Sequence, residues 1–328
     1  MIETFDFYGL VVKLASDHDE IVREVSRDFA WFTVPSTESV RPPGARQMNV
    51  DIRFEEPTYS GLPAVPASVT TPRNVSFRDG DVSYVDYFGR ALAVVNTKAG
   101  TCIVYGVDFD LVREVCYLFL LSTVGQYLDS IRLHRIHAMG MNYKGNGVLL
   151  LLPSGGGKST MTMELLRHPD FTLLSEDTPL IDKKGMMHPF PLRLGIRDAE
   201  GSEIPAQMRR TLNRMEFDPK TFVDVAFYDG RISGPIVPRI LLVGRRNLGT
   251  PSTITPIPRR EALGALIKYL VVGLGVYQGL EFLLERGLRE MVGHTDVATS
   301  RFRNSIAVLS KASAYEFTLG RDTAKNSR

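Results

Sequence analysis

The sequence predicts an α/β domain with a mixed sheet over residues 131–328, preceded by a smaller α+β region over residues 1–130. Three observations carry that division. From residue 147 the pattern runs strand, glycine loop, helix, strand, which is α/β grammar. Before it, several short alternating segments lead into one long helical stretch. The composition, 44 % hydrophobic and 23 % charged over 328 residues, suits a chain with a sizeable core and about two domains.

Taken in order, residues 5–14 (FDFYGLVVKL) are aromatic and β-branched and predict a strand. Residues 18–32 set Ile21, Val22, Val25, Phe29 and Phe32 on one helical face. Prolines and a glycine make 35–48 a loop, and NVDIRFE (49–55) alternates like a half-buried strand. Pro57, Pro63, Pro66 and Pro72 mark an irregular connection. Strands are expected at 81–88, 91–97 and 101–106, joined by hairpin-like links, then a helix over 108–130. This first region is expected to serve substrate recognition or assembly. Further on, 189–196 and 239–246 also look strand-like, and the tail RDTAKNSR is polar.

Charge and composition exclude several classes. Lys and Arg number 39 against 37 Asp and Glu, so a net charge of +2 gives no bulk pull toward nucleic acid or an anionic membrane. Cys102 and Cys116 lie in apolar stretches without a CxxC, which argues against a disulfide scaffold and for buried thiols in a reducing compartment. The N-terminus lacks the basic and small-residue features of a secretory signal, so the expected compartment is the cytoplasm. The apolar run 262–284 is interrupted by Lys268, Gln278 and Glu281 and predicts a buried helical segment rather than a membrane span. Its glycines 273, 275 and 279 miss the GxGxxG spacing of a dinucleotide loop and suit close helix packing.

The chemistry concentrates around the glycine loop. Gly147–Leu152 is a nearly continuous apolar strand, followed by Ser154-Gly155-Gly156-Gly157-Lys158-Ser159-Thr160 and a helix. Three glycines let a backbone wrap an anion without Cβ clashes, and the helix start adds unpaired N–H donors. Lys158 is placed to reach the β- and γ-phosphates of a nucleotide, and the Ser159 hydroxyl to ligate Mg²⁺. The standard pattern GxxxxGK(S/T) has a glycine where this chain has Leu152, followed by Pro153. The next strand, Phe171–Ser175, ends in Glu176-Asp177. A right-handed crossover would set it beside the first strand and bring both carboxylates to the loop. One acid would hold Mg²⁺ and the other accept a proton.

Together with His137-Ala138 and Gly145-Asn146-Gly147-Val148, these motifs resemble the HPr kinase/phosphorylase-like P-loop kinases, whose fold is related to that of phosphoenolpyruvate carboxykinase. The resemblance covers residues 133–182 well and extends loosely to PFPLRLGI and RILLVGRR. It implies a cytoplasmic kinase using ATP and Mg²⁺ to phosphorylate a hydroxyl. His137 would lie near the transferred phosphate, and Glu176 and Asp177 would divide base and metal roles. The family's C-terminal loop for HPr binding is absent, so the implied acceptor is a serine of another protein or peptide. A small molecule as acceptor, or nucleotide binding without turnover, are the alternatives. The family's habit of assembling is compatible with a homo-oligomer.

Other residues have plainer expectations. His134, three residues before His137, is expected to be structural rather than a metal ligand. Arg193 has the guanidinium that matches a nucleotide phosphate, against the plain alternative of a surface ion pair. Lys220, Arg209-Arg210 and Arg245-Arg246 are expected on the solvated surface, and Trp31 in the core.

Overall fold

The computed structural model describes residues 1–35, 46–196, 203–215, 218–272 and 291–321. Glycines 273, 275 and 279, most of the loop 35–48 and the tail from 322 lie outside them. The described chain forms two compact units. One holds Met1–Tyr127 and Thr211–Thr221; the other holds Leu128–Arg210, residues 222–272 and residues 291–321.

The first unit is built on one large sheet. Its elements are β1 (Ile2–Phe7), β2 (Leu10–Ser16), α1 (Asp19–Asp28), β3 (Arg46–Arg53), β4 (Ala67–Thr70), β5 (Val75–Asp79), β6 (Val82–Asp86), β7 (Ala91–Asn96), β8 (Thr101–Gly106) and α2 (Phe109–Ser130), whose last three residues belong to the second unit. The eight strands lie in the order β1-β2-β3-β8-β7-β6-β5-β4. β3 runs parallel to both its neighbours, and the remaining pairs are antiparallel. The strand expected at 5–14 is in fact a hairpin. Tyr8 (φ 58°) and Gly9 (φ 98°) turn the chain with two left-handed residues, the geometry that matches strand twist. The irregular stretch 57–72 hides β4, an edge strand paired to β5. Phe5, Phe7, Phe29 and Phe32 are buried together, with Phe7 and Phe29 edge to face at 5.6 Å. Trp31, expected in the core, is only half-buried, packed on Phe32. Both cysteines are buried, and neither is in a disulfide.

The second unit carries a six-stranded mixed sheet. In chain order it contains β9 (His134–Arg135), β10 (Met139–Tyr143), β11 (Asn146–Leu151), α3 (Lys158–Leu166), β12 (Phe171–Ser175), β13 (Leu180–Ile181), β14 (Met187–His188), β15 (Leu194–Ile196), parts of β16 (Arg209–Leu212) and β17 (Lys220–Val223), whose residues 211–212 and 220–221 belong to the first unit, β18 (Pro238–Arg246), β19 (Thr253–Pro256), α4 (Arg259–Leu266), α5 (Met291–Leu309) and β20 (Ser313–Leu319). The main sheet runs β12-β10-β11-β18-β20-β19, and two three-stranded sheets, β14-β13-β9 and β15-β17-β16, accompany it. Val148, Leu150 and Leu152 pack with Met161 and Leu165 of α3. Leu149 and Leu151 face the other way, into a cluster with Ala262 and Leu266 of α4 and Val308 of α5. A strand sandwiched by helices needs apolar residues on both faces, which is why this run does not alternate.

One expectation is corrected. β12 does not pair with β11: β10 lies between them, antiparallel to both. The turn Lys144-Gly145 (φ 48° and 83°) closes a β10–β11 hairpin that takes the place beside β11. Two antiparallel steps still leave β12 parallel to β11, so both strands end at the same edge. Among the described residues, no helix is long and apolar enough to cross a membrane.

Candidate active site

The loop after β11 requires its three glycines for two different reasons. Gly155 (φ 72°) and Gly157 (φ 104°) adopt left-handed backbone that disfavours a Cβ. Gly156 has an ordinary φ, but a Cβ there would lie 2.8 Å from the Pro153 carbonyl oxygen, which accepts the Gly156 N–H at 2.9 Å. A Cβ on Gly155 would meet nothing within 4 Å. α3 then starts at Lys158 with no side-chain cap on its first turn, leaving the electropositive end of the helix at the loop. Leu152, where a standard loop has glycine, is accommodated by Gly244 of β18. A Cβ on Gly244 would lie 2.5 Å from the Leu152 side chain.

A second strand brings the acid and the imidazole. Residues 134–138 run antiparallel to 177–181: β9 pairs with β13, Ile136 N–H donates to Pro179 O, and Ala138 N–H donates to Asp177 O at 3.0 Å. This ladder places His137 beside Asp177, and Lys158 reaches into the same spot. The Lys158 ammonium lies 2.9 Å from His137 Nε2, 2.9 Å from Leu152 O and 3.3 Å from Asp177 Oδ1. His137 Nδ1 lies 3.2 Å from the same Asp177 oxygen, a close approach without hydrogen-bond alignment. Lys158 can only donate, so His137 Nε2 must accept and the ring proton belongs on Nδ1, toward Asp177. Ser154 Oγ also approaches His137 Nε2, at 3.4 Å. Burial alone would raise the Asp177 pKa. The imidazole beside it and the Lys158 charge outweigh burial and hold the carboxyl below its ordinary value.

Glu176 points elsewhere. It lies in the bend just past the end of β12, and its Oε1 accepts the Ser159 hydroxyl proton at 2.6 Å. Its charge is also felt at Tyr228, whose phenol is pushed up first by burial and then by Glu176. Among the described residues no three His, Cys, Asp or Glu side chains converge as a ready-made metal cage. Mg²⁺ does not need one: it keeps several waters and takes one or two protein oxygens besides phosphate. The paired oxygens of Ser159 and Glu176 fit that demand.

The structure thus gathers Ser154, the three glycines, Lys158, Ser159, Glu176, Asp177 and His137 around one loop. Thr160 follows on the first turn of α3, half-buried. Arg193 has its guanidinium over the Phe222 ring, 4.5 Å from the centroid. His134 belongs to a different cluster, described below. Of the two arginine pairs expected on the surface, Arg245 and Arg246 are exposed there, whereas Arg209 and Arg210 are half-buried. Arg210 makes a buried ion pair with Asp224 at 3.0 Å. Arg245 is held by Glu316 at 2.9 Å, while the exposed Arg246 packs its guanidinium against Gly157, 3.7 Å from where a Cβ would sit. Sequence reasoning placed Arg246 on the surface without bringing it to the loop. The signal available was that β18 runs parallel to β11, so its last residues share the edge that carries the loop.

Compared with protein-family models and with curated protein sequences, the chain matches none.

Proposed function

We propose that this chain is an ATP- and Mg²⁺-dependent phosphotransferase of the HPr kinase/phosphorylase-like kind, moving the γ-phosphoryl group to a hydroxyl on a protein or peptide other than HPr. The observation that carries this reading is the buried knot of Lys158, His137 and Asp177 beside a three-glycine loop. The loop amides and the start of α3 would hold the phosphate chain. Mg²⁺ at Ser159 and Glu176 would neutralise phosphate charge. Asp177 then has the role of base. As the acceptor oxygen bonds to the γ-phosphorus and the bond to the β-phosphate oxygen breaks, the hydroxyl proton passes to Asp177 and ADP leaves. His137 orients Asp177, and Lys158 and Arg246 spread the developing charge. Lys158 must exchange its bond to Leu152 O for phosphate, a rotation its flexible stem allows.

The test is incubation with γ-labelled ATP, Mg²⁺ and a library of serine peptides. Label is expected on peptide with the wild type and on none with Lys158→Ala. Failure of the wild type to bind Mg-ATP, or equal binding and transfer by Lys158→Ala, overturns the reading. Lys158-dependent binding with neither transfer nor ADP release supports the second reading, a nucleotide-binding regulator. That reading draws on Leu152 in the glycine position and on the inward engagement of Lys158.

A further inference from the structure

Three residues before His137, the chain enters a second buried cluster at β9. His134 Nδ1 lies 2.7 Å from Asp129 Oδ1, and His134 Nε2 lies 2.8 Å from Ser300 Oγ. Acid, imidazole and hydroxyl in this order match a nucleophile-activating relay. Two facts exclude that use. His134 and Ser300 are 0 % and 4 % exposed, so no acyl donor reaches the hydroxyl. The Asp129 carboxylate is also occupied by Arg301, whose Nη2 donates to both its oxygens at 3.0 and 2.8 Å. The cluster must act on structure.

Its reach leads to the site. Arg301 Nη1 donates to Leu270 O at 3.3 Å. Leu270 belongs to a single π-helical turn, Ile267–Val271, closed by Val272 N–H on Ile267 O at 2.9 Å. Such turns are uncommon and often accompany functional sites. The preceding carbonyl, Tyr269 O, accepts the backbone N–H of His137 at 3.3 Å. The Tyr269 and His137 rings lie 6.0 Å apart. On either side of His137, the Ile136 and Ala138 N–H groups donate to the 177–181 segment, leaving the His137 N–H for the π turn.

We propose that Asp129, His134 and Arg301 are positioning residues: together they clamp the π turn so that the Tyr269 carbonyl fixes the His137 backbone, and with it the His137–Lys158–Asp177 geometry. Arg301 is the joint, because its guanidinium grips Asp129 and Leu270 O at once. A lysine there keeps the charge against Asp129 but cannot span both. Ser300 completes the clamp from the far side of His134. The kinetic part of this inference rests on the phosphotransferase reading; the geometric part does not.

Native-state hydrogen exchange of single amides tests it in the full chain. In Arg301→Lys the His137 amide is expected to exchange about tenfold faster while Leu150, on β11, stays within about twofold of wild type. Ser300→Ala should shift His137 the same way, by about threefold. Arg301→Lys should also turn over ATP about tenfold more slowly with ATP affinity unchanged, since only the reacting geometry has loosened. The clamp is overturned if His137 stays protected in both variants, or loses protection only in step with Leu150. Should Arg301→Lys fail to fold, Ser300→Ala decides alone. Faster His137 exchange with no phosphoryl transfer by the wild type would sink the phosphotransferase reading and leave the clamp standing.

Discussion

Two histidines three residues apart, His134 on β9 and His137 just after it, meet opposite fates. His134 and His137 are 0 % and 2 % exposed, and each has Nδ1 close to an aspartate. What separates them is the far nitrogen. For His134 it meets a serine hydroxyl inside a closed cluster; for His137 it meets an ammonium at a loop that opens on empty space at Gly155. A His–Asp contact is therefore no mark of chemistry by itself. The group on the second nitrogen, and whether a ligand can displace it, decides between scaffold and site.

The sharpest way to break this comparison is the same substitution at both acids. Asp177→Asn should lower phosphoryl transfer by a factor of about 10² to 10⁴, the usual range for a lost general base, and should also cost stability, because buried Lys158 loses its counter-charge. Asp129→Asn should cost stability alone. It leaves Arg301, 1 % exposed, without its counter-charge, and should destabilise the fold by about 3 kcal/mol with Mg-ATP affinity of the folded protein unchanged. Denaturant melts and titration calorimetry on both variants separate the outcomes. A stable Asp129→Asn protein with poor nucleotide binding would reverse the two assignments.

Acid titration tests the Asp129 half of this comparison. Burial opposes ionisation of Asp129, but the hydrogen bond to His134 and the charges of Arg301, His134 and Arg135 outweigh it and hold the carboxyl below its ordinary value. A depressed carboxyl stabilises the fold above its unfolded pKa, and that stability is lost as pH falls through the folded value. Asp129→Asn should therefore flatten the acid limb of stability against pH, below about pH 4, where an ordinary aspartate begins to protonate. An acid limb identical to wild type would mean that Asp129 carries no linked stability.

Much of the site was legible in the sequence because it is local. A glycine loop, a lysine, a serine and a helix start within a few residues of one another, and each has its own backbone requirement. The place of β12 was not legible. Nothing in Met139–Tyr143 announces that it pairs with both β11 and β12, since register across a sheet is a long-range property. The place of Arg246 beside the loop was missed for the same reason: it follows Lys158 by 88 residues and returns only through the parallel β11–β18 pairing. The Asp129–Arg301 pair spans 172 residues and has no local pattern to read. The hairpin at Tyr8-Gly9, by contrast, did carry its signal in Gly9, which the aromatic run around it masked.

The smallest expected effect lies within the loop and separates its two kinds of glycine. Gly155 takes a left-handed φ but faces empty space, so Gly155→Ala meets only a backbone cost of about 1 kcal/mol. Its new methyl group would, however, project into the space where a phosphate chain is expected. Gly156→Ala meets no such backbone cost, but its Cβ would collide with Pro153 O, and the bond from Gly156 N–H to that oxygen must stretch. Gly156→Ala should thus lower the melting temperature more than Gly155→Ala, by a margin of about 3 °C. Gly155→Ala should weaken Mg-ATP binding while losing only about 1 kcal/mol of stability. If both variants lose stability equally and bind nucleotide equally well, the open face at Gly155 is not where the phosphates lie.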